Sequence, residues 1–140
     1  MPEKENVEKV RAMYAAFLRG DVPAILAELA DNVEWVVYGP PVIAYAGTRR
    51  GPSEVAGFFE ALVTTQENHE LSIDDYIAQG EVVVTLGRHA ATVRVTGKGF
   101  DTPVAHVFTF GDGKVSKLAD FGDTARIAAA YQADAALAGR

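Results

Sequence analysis

The sequence predicts an α+β fold: three helices in the first half of the chain, with a curved antiparallel sheet wrapped around them. Three observations lead there. Apolar residues recur at helical spacing over the first third of the chain. From about Glu70 onward they alternate, or run in short β-branched stretches between turn signals. Finally, Gly111-Asp112-Gly113 separates two β-rich runs, Val104–Phe110 and Lys114–Phe121, a strong hairpin signal. A long, strongly twisted sheet curls around the helices it covers and leaves an apolar concavity that suits a small molecule.

Each element has its own signature. Val7, Val10, Met13, Tyr14, Phe17 and Leu18 form the apolar stripe of a first helix that stops near Gly20. Asp21 is the next N-cap, which accounts for Arg19-Gly20-Asp21 better than its chance likeness to an adhesion tripeptide. Pro23 starts a second helix with Ile25, Leu26 and Leu29 as its stripe. Asp31-Asn32 turns the chain into a strand, Val33–Tyr38, with Val33, Trp35 and Val37 on one side. Gly39-Pro40-Pro41 ends it, and Ile43–Gly47 reads as a short extended piece. Pro52 opens a third helix whose apolar face is Val55, Phe58, Phe59, Leu62 and Val63. Asp74-Asp75 marks a bulge or turn in the strand that follows, and Glu81–Thr96 reads as one long strand. Asp123 caps a short terminal helix through about Tyr131, beyond which an Ala-rich tail is expected to fray.

A chain of 140 residues, 49% of them hydrophobic, fits one domain spanning 1–140 with a core over about 7–131. The net charge of −6 is spread along the chain with no basic stripe, which argues against nucleic acid or an anionic membrane as partner. With no cysteine there is no disulfide framework, thiolate nucleophile or cysteine metal site. The N-terminus lacks an apolar targeting core, and no segment approaches the ~18 apolar residues of a membrane span. A soluble cytoplasmic protein is the expectation.

Two groups capable of proton chemistry stand on the hairpin, His106 on its first run and Asp120 on its second. Their relation depends on the turn. A three-residue loop sets His106 opposite Leu118 and puts Asp120 one diagonal step away on the same face. A two-residue loop, Asp112-Gly113, slips the register by one and sends the two side chains to opposite faces. The first register is the expectation, with Asp120 and His106 as catalytic pair and Leu118 beside them. The competing readings are a solvent-facing or capping aspartate and a core histidine satisfied by backbone. Arg88 interrupts an apolar strand and could hold an anionic substrate group or pair with Asp120; its plainer reading is a surface charge sharing a face with Val84, Leu86 and Ala90. Trp35, Tyr14, Tyr45 and Phe59 could line a pocket for a flat apolar ligand, or be plain core. His69 and His89 read as surface residues. The three histidines lack helical ligand spacing, which speaks against a metal site. Gly97-Lys98-Gly99 lacks the third glycine and helix of a nucleotide fingerprint, and no Gly-x-Ser-x-Gly elbow exists. No cofactor is expected.

Several stretches carry a family resemblance: Tyr14–Asp21, Asn32–Trp35, Ala46–Pro52, Phe58-Phe59, His106–Val115 and Asp120–Ala125. Over roughly Val7–Tyr131 the chain resembles the SnoaL-like branch of the nuclear transport factor two superfamily, which also holds ketosteroid isomerases and limonene epoxide hydrolases. The resemblance implies a cone-shaped, cystatin-like α+β barrel, commonly a homodimer, open toward one end of its helices. In SnoaL-type polyketide cyclases a histidine on one late strand and an aspartate on the next form the catalytic pair, and His106 and Asp120 fall on those positions. The aspartate there serves as acid–base in an intramolecular aldol closure.

Departures from the relatives narrow the chemistry. The early-strand aspartate of ketosteroid isomerases matches Val37, which takes no proton. Their oxyanion tyrosine matches Met13, with Tyr14 one residue on and ~100° round the helix. His106 stands where their protonated acid would be. The epoxide hydrolases use an Arg–Asp pair on the middle strand and a second Asp on the last. Asp120 and, loosely, Arg88 match two of the three, but Thr85–Val95 holds no carboxylate. The expectation is therefore a cofactor-independent acid–base enzyme of cyclase, isomerase or lyase type, acting on a small hydrophobic carbonyl or enol compound. The alternatives are a non-catalytic binding protein of the same fold and an epoxide hydrolase-like enzyme.

Overall fold

The structure is a computed structural model that describes residues 2–133; the tail expected to fray lies outside the described residues. Helix α1 (Pro2–Leu18) buries Asn6, Val10, Met13 and Ala16, and it ends where Gly20 takes φ +77. The Asp21 carboxylate accepts from the Ala24 N–H and caps α2. That helix is only Val22–Leu26, and Leu29, expected on its stripe, is instead the first residue of strand β1 (Leu29–Val37). Tertiary pairing overrides helix propensity here. The Val115 N–H donates to the Glu28 carbonyl and the Lys114 ammonium to that of Ala27, so both carbonyls are taken up by a distant strand.

Along β1, Val33, Trp35 and Val37 face inward as alternation predicts. The following segment, expected to be extended, consists of turns closed by Ile43 N–H to Pro40 O and Ala46 N–H to Ile43 O. Two prolines cannot donate to a ladder, and the turns drop Ile43 and Tyr45 into the core. Strand β2 (Gly47–Arg50) pairs with β1 and leads into α3 (Gly51–Thr65), where Val55, Phe58, Phe59 and Leu62 are buried. Val63, expected on that face, is 51% exposed.

Four long strands follow: β3 (Gln66–Gln79), β4 (Val82–Val93), β5 (Gly99–Gly111) and β6 (Lys114–Gly122). Helix α4 (Thr124–Tyr131) closes the described chain, capped by Asp123, whose carboxylate accepts from the Arg126 N–H. The register of β3 on β4 shifts between Ile73 and Asp75, the bulge that Asp74-Asp75 announced. The sheet order is β2-β1-β6-β5-β4-β3. Every pair is antiparallel except β1 on β6, which is parallel, so the curved sheet is mixed rather than wholly antiparallel. Helices cover its concave face, and the aromatic core of Trp35, Phe58, Phe59 and Phe108 lies between. The outward face carries two apolar rows, Leu86–Ala105–Phe121 and Ile77–Val84–Val107–Ala119.

Candidate active site

The β5–β6 hairpin follows neither register anticipated from its sequence. Gly111 pairs with Lys114, so the loop is the two-residue Asp112-Gly113, both in the left-handed region (φ +51 and +77). That turn alone would separate His106 and Asp120. The register then shifts by one: Phe110 opposes Val115 but Thr109 opposes Lys117, leaving Ser116 as the extra residue of a bulge. Its hydroxyl donates to the Thr109 carbonyl. The bulge restores the inward parity, and His106 lands directly opposite Asp120 rather than opposite Leu118.

His106 Nε2 lies 3.2 Å from Asp120 Oδ1, with both side chains largely buried. An ionised carboxylate only accepts, so Nε2 carries a proton; a neutral ring then has its lone pair at Nδ1. Tyr14 OH sits 2.6 Å from that Nδ1 and 2.6 Å from Thr85 Oγ1. With the ring neutral, Tyr14 donates to His106 and Thr85 donates to Tyr14. Burial, joined by the charge of Asp120, pushes the Tyr14 phenol well above its usual range despite the Thr85 bond, which keeps it a proton donor. Four side chains from α1, β4, β5 and β6 thus form one hydrogen-bonded chain, Thr85–Tyr14–His106–Asp120. Tyr14 reaches the site although it stands one position past Met13; both line the cavity.

That cavity has a volume of about 90 Å³. At roughly 10–15 Å³ for each water it could hold, it has room for a small ligand. Trp35, Tyr45, Phe59 and Leu118 line it as expected, together with Phe58 and Phe108. Val37, the early-strand position, is the register partner of Asp120 across the parallel pair, so the carboxylate enters this part of the cavity from the next strand over. Tyr45 is 4% exposed, and burial reinforced by the charge of Asp120 raises its phenol well above the usual range. It is held as a neutral donor near the carboxylate. The Trp35 indole N–H has no acceptor among the described residues.

Two expectations are overturned. Arg88 is not in the site: it projects from the outward face, half exposed, with its Nε 2.7 Å from Asp101 and its guanidinium 3.3 Å from Glu70. It neither meets Asp120 nor supplies the arginine of an epoxide hydrolase triad. The cause is strand parity, since even-numbered residues of β4 face outward there. The same parity corrects His89, which is buried, lines the cavity and lies 2.8 Å through Nε2 from Asn68 Oδ1. Burial pushes its imidazole down to about 4 against a smaller opposing pull from Asp120. His69 is exposed, as expected. Thr85 and His89 were legible: alternation that puts Arg88 with Leu86 puts these two on the other face. Among the described residues, no three His, Asp or Glu side chains stand together as a possible metal site, and no helix is long and apolar enough to cross a membrane.

Comparison with known proteins agrees with this architecture. An NTF2-like protein of unknown function from Burkholderia pseudomallei K96243 is 32% identical, covering 92% of this chain and 98% of that one with a TM-score of 0.82. TerC, crystallised with polyporic acid, is 26% identical over 91% of this chain and 98% of its own, with a TM-score of 0.81. An uncharacterised protein of Mycobacterium tuberculosis is 26% identical over 124 residues, 86% of this chain and 91% of its own. Residues 10–118, from α1 to the cavity face of β6, match the SnoaL-like domain family. With that span matched and the curved sheet closed over its helices, the chain belongs to the SnoaL-like family of NTF2-like proteins.

Proposed function

We propose that the protein is a cofactor-independent acid–base enzyme of cyclase, isomerase or lyase type, acting on a small, mostly apolar carbonyl or enol compound. The observation that carries this reading is the Asp120–His106 pair, 3.2 Å apart at the wall of a ring-lined cavity and anchored from behind by Tyr14 and Thr85. His106 holds one carboxylate oxygen, leaving the other as the base. It takes the proton from the carbon next to a carbonyl; the C–H electron pair moves into an enolate, and the proton rests on Asp120. Return of that proton to another carbon gives isomerisation. Its return to the alkoxide formed on ring closure gives cyclisation. The Tyr45 phenol, kept protonated by burial and lining the same cavity, supports this reading as a donor to the developing oxyanion, where a hydrogen bond to charge counts for more than in water.

The relationship to TerC makes polyporic acid one probe in a thermal-shift screen with small cyclic ketones and 1,3-diketones. Stabilising compounds are then followed by proton NMR in D₂O for exchange at the carbon next to the carbonyl. The expected result is protein-dependent exchange that Asp120→Asn lowers by about 10²-fold or more with the circular dichroism unchanged. Unaltered exchange in Asp120→Asn would remove the carboxylate from the chemistry. Stabilisers none of which exchange would instead mark a protein that binds without converting.

A further inference from the structure

The cavity holds a second histidine, and the hydrogen bonds around it fix its protonation without appeal to any ligand. Asn68 Nδ2 donates to the Leu62 carbonyl at 3.2 Å, which settles which end of that amide is nitrogen. Asn68 Oδ1 is then a pure acceptor, and it receives Gln66 Nε2 at 2.7 Å and His89 Nε2 at 2.8 Å. Gln66, fully buried, is oriented in turn by the Tyr131 hydroxyl, which donates to its Oε1 at 2.6 Å. His89 must therefore carry its proton on Nε2, and Nδ1 presents an unprotonated lone pair with no protein partner among the described residues. The edge of the Phe100 contact, 5.4 Å between centroids at 89°, fixes the ring plane. Burial keeps the ring neutral, so the lone pair persists across the neutral pH range.

His89 and the Thr85–His106–Asp120 row occupy the same cavity but not the same end. Thr85, His106 and Asp120 are register partners across β4, β5 and β6, whereas His89 pairs with Thr102. Four residues of strand separate the rows, at most about 13 Å along β4. The walls between are aromatic and aliphatic. A ligand that satisfies both ends has a carbonyl or enol at Asp120, a ring body, and a hydrogen-bond donor at the far side.

We propose that His89 is a specificity-determining residue whose Nδ1 accepts a hydrogen bond from a ligand hydroxyl, so that the site selects hydroxylated aromatic carbonyl compounds. This rests on the acid–base reading of the cavity for the ligand's carbonyl end. A site built to pair with a hydroxyl binds the analogue without one less tightly, because that analogue gives up the hydrogen bond to Nδ1.

The test uses 6-hydroxy-1-tetralone and 6-methoxy-1-tetralone, which share a ring ketone and differ in the donor. Affinities are measured by calorimetry for the native chain, His89→Leu and His89→Gln, with exchange next to the ketone in D₂O followed separately. The native chain should bind the hydroxy compound about tenfold more tightly or better, a difference of about 1.4 kcal/mol. His89→Leu should bring the ratio close to one while the methoxy compound still binds. His89→Gln, which can donate to Asn68 and accept from the ligand at once, should recover part of the preference. An equal ratio in the native chain, a ratio that survives His89→Leu, or failure of the native chain to bind either compound would overturn the proposal. Discrimination without exchange would sink the acid–base reading and leave the role of His89 standing.

Discussion

At the scale of single residues, the cavity uses its two histidines in different ways. His106 is committed at both nitrogens, to Asp120 and to Tyr14. His89 is committed only at Nε2. Their difference reaches stability. His89 holds its proton at about 4 in the folded chain against 6.5 for a free imidazole, mainly because burial disfavours the cation; Asp120 opposes this and His106 adds to it. Below 6.5 the unfolded chain takes up a proton that the folded chain refuses. Stability is thus whole above 6.5 and falls as pH drops toward about 4, by about 3 kcal/mol for this group alone. Denaturant midpoints at pH 7.5, 5.5 and 4.5 should fall steeply for the native chain and less so for His89→Gln. Parallel curves for the two proteins would show that His89 is not the titrating group.

At the scale of elements, two of the sheet's bulges decide what their strands present. The bulge between Ile73 and Asp75 brings the Ser72 carbonyl against Gly87, where an added Cβ would lie 2.0 Å from that oxygen. Gly87→Ala should destabilise the chain by about 1–3 kcal/mol, read as a lower thermal midpoint, because β3 must move off β4 between Thr85 and His89. A midpoint within a degree of the native value would show that the strands have slack there. This bulge was legible, since Asp74-Asp75 interrupts an alternating strand. The bulge at Ser116 was not: nothing in Lys114-Val115-Ser116-Lys117-Leu118 distinguishes an extra residue from a continuous strand. The expectation that His106 and Asp120 share a face held, but through a two-residue turn plus a bulge instead of a three-residue loop. The caps, the Val33–Val37 alternation and most of the helix stripes were read correctly because short-range physics governs them, although Leu18 and Val63 at the stripe ends are exposed. Leu29 and the Ile43–Gly47 turns were misread because distant strands and the packing of Tyr45 decide them.

At the scale of the whole molecule, the mixed sheet joins the two ends of the chain. Strands β3 to β6 are neighbours both in sequence and in space, each paired with the next as a hairpin. Strand β1 pairs in parallel with β6, Val37 beside Asp120, although the rest of the sheet and α3 lie between them in sequence. Parallel pairing of this kind closes a long loop before its contacts repay the lost chain entropy. Trp35 pairs with Arg49 of β2 and packs on Phe58 and Phe59, but its partner Leu118 on β6 comes late in the chain, so its burial is completed by the closing strand. Trp35, the single tryptophan, rides on β1. In a refolding jump its fluorescence should change in the slowest phase, together with recovered ligand binding and after most of the far-ultraviolet dichroism has returned. Fluorescence that returns with the dichroism would mean that the hairpins do not form ahead of the closure. In the slower order, anything bound in the cavity acts as a latch on the final seam, holding the chain's beginning to its end.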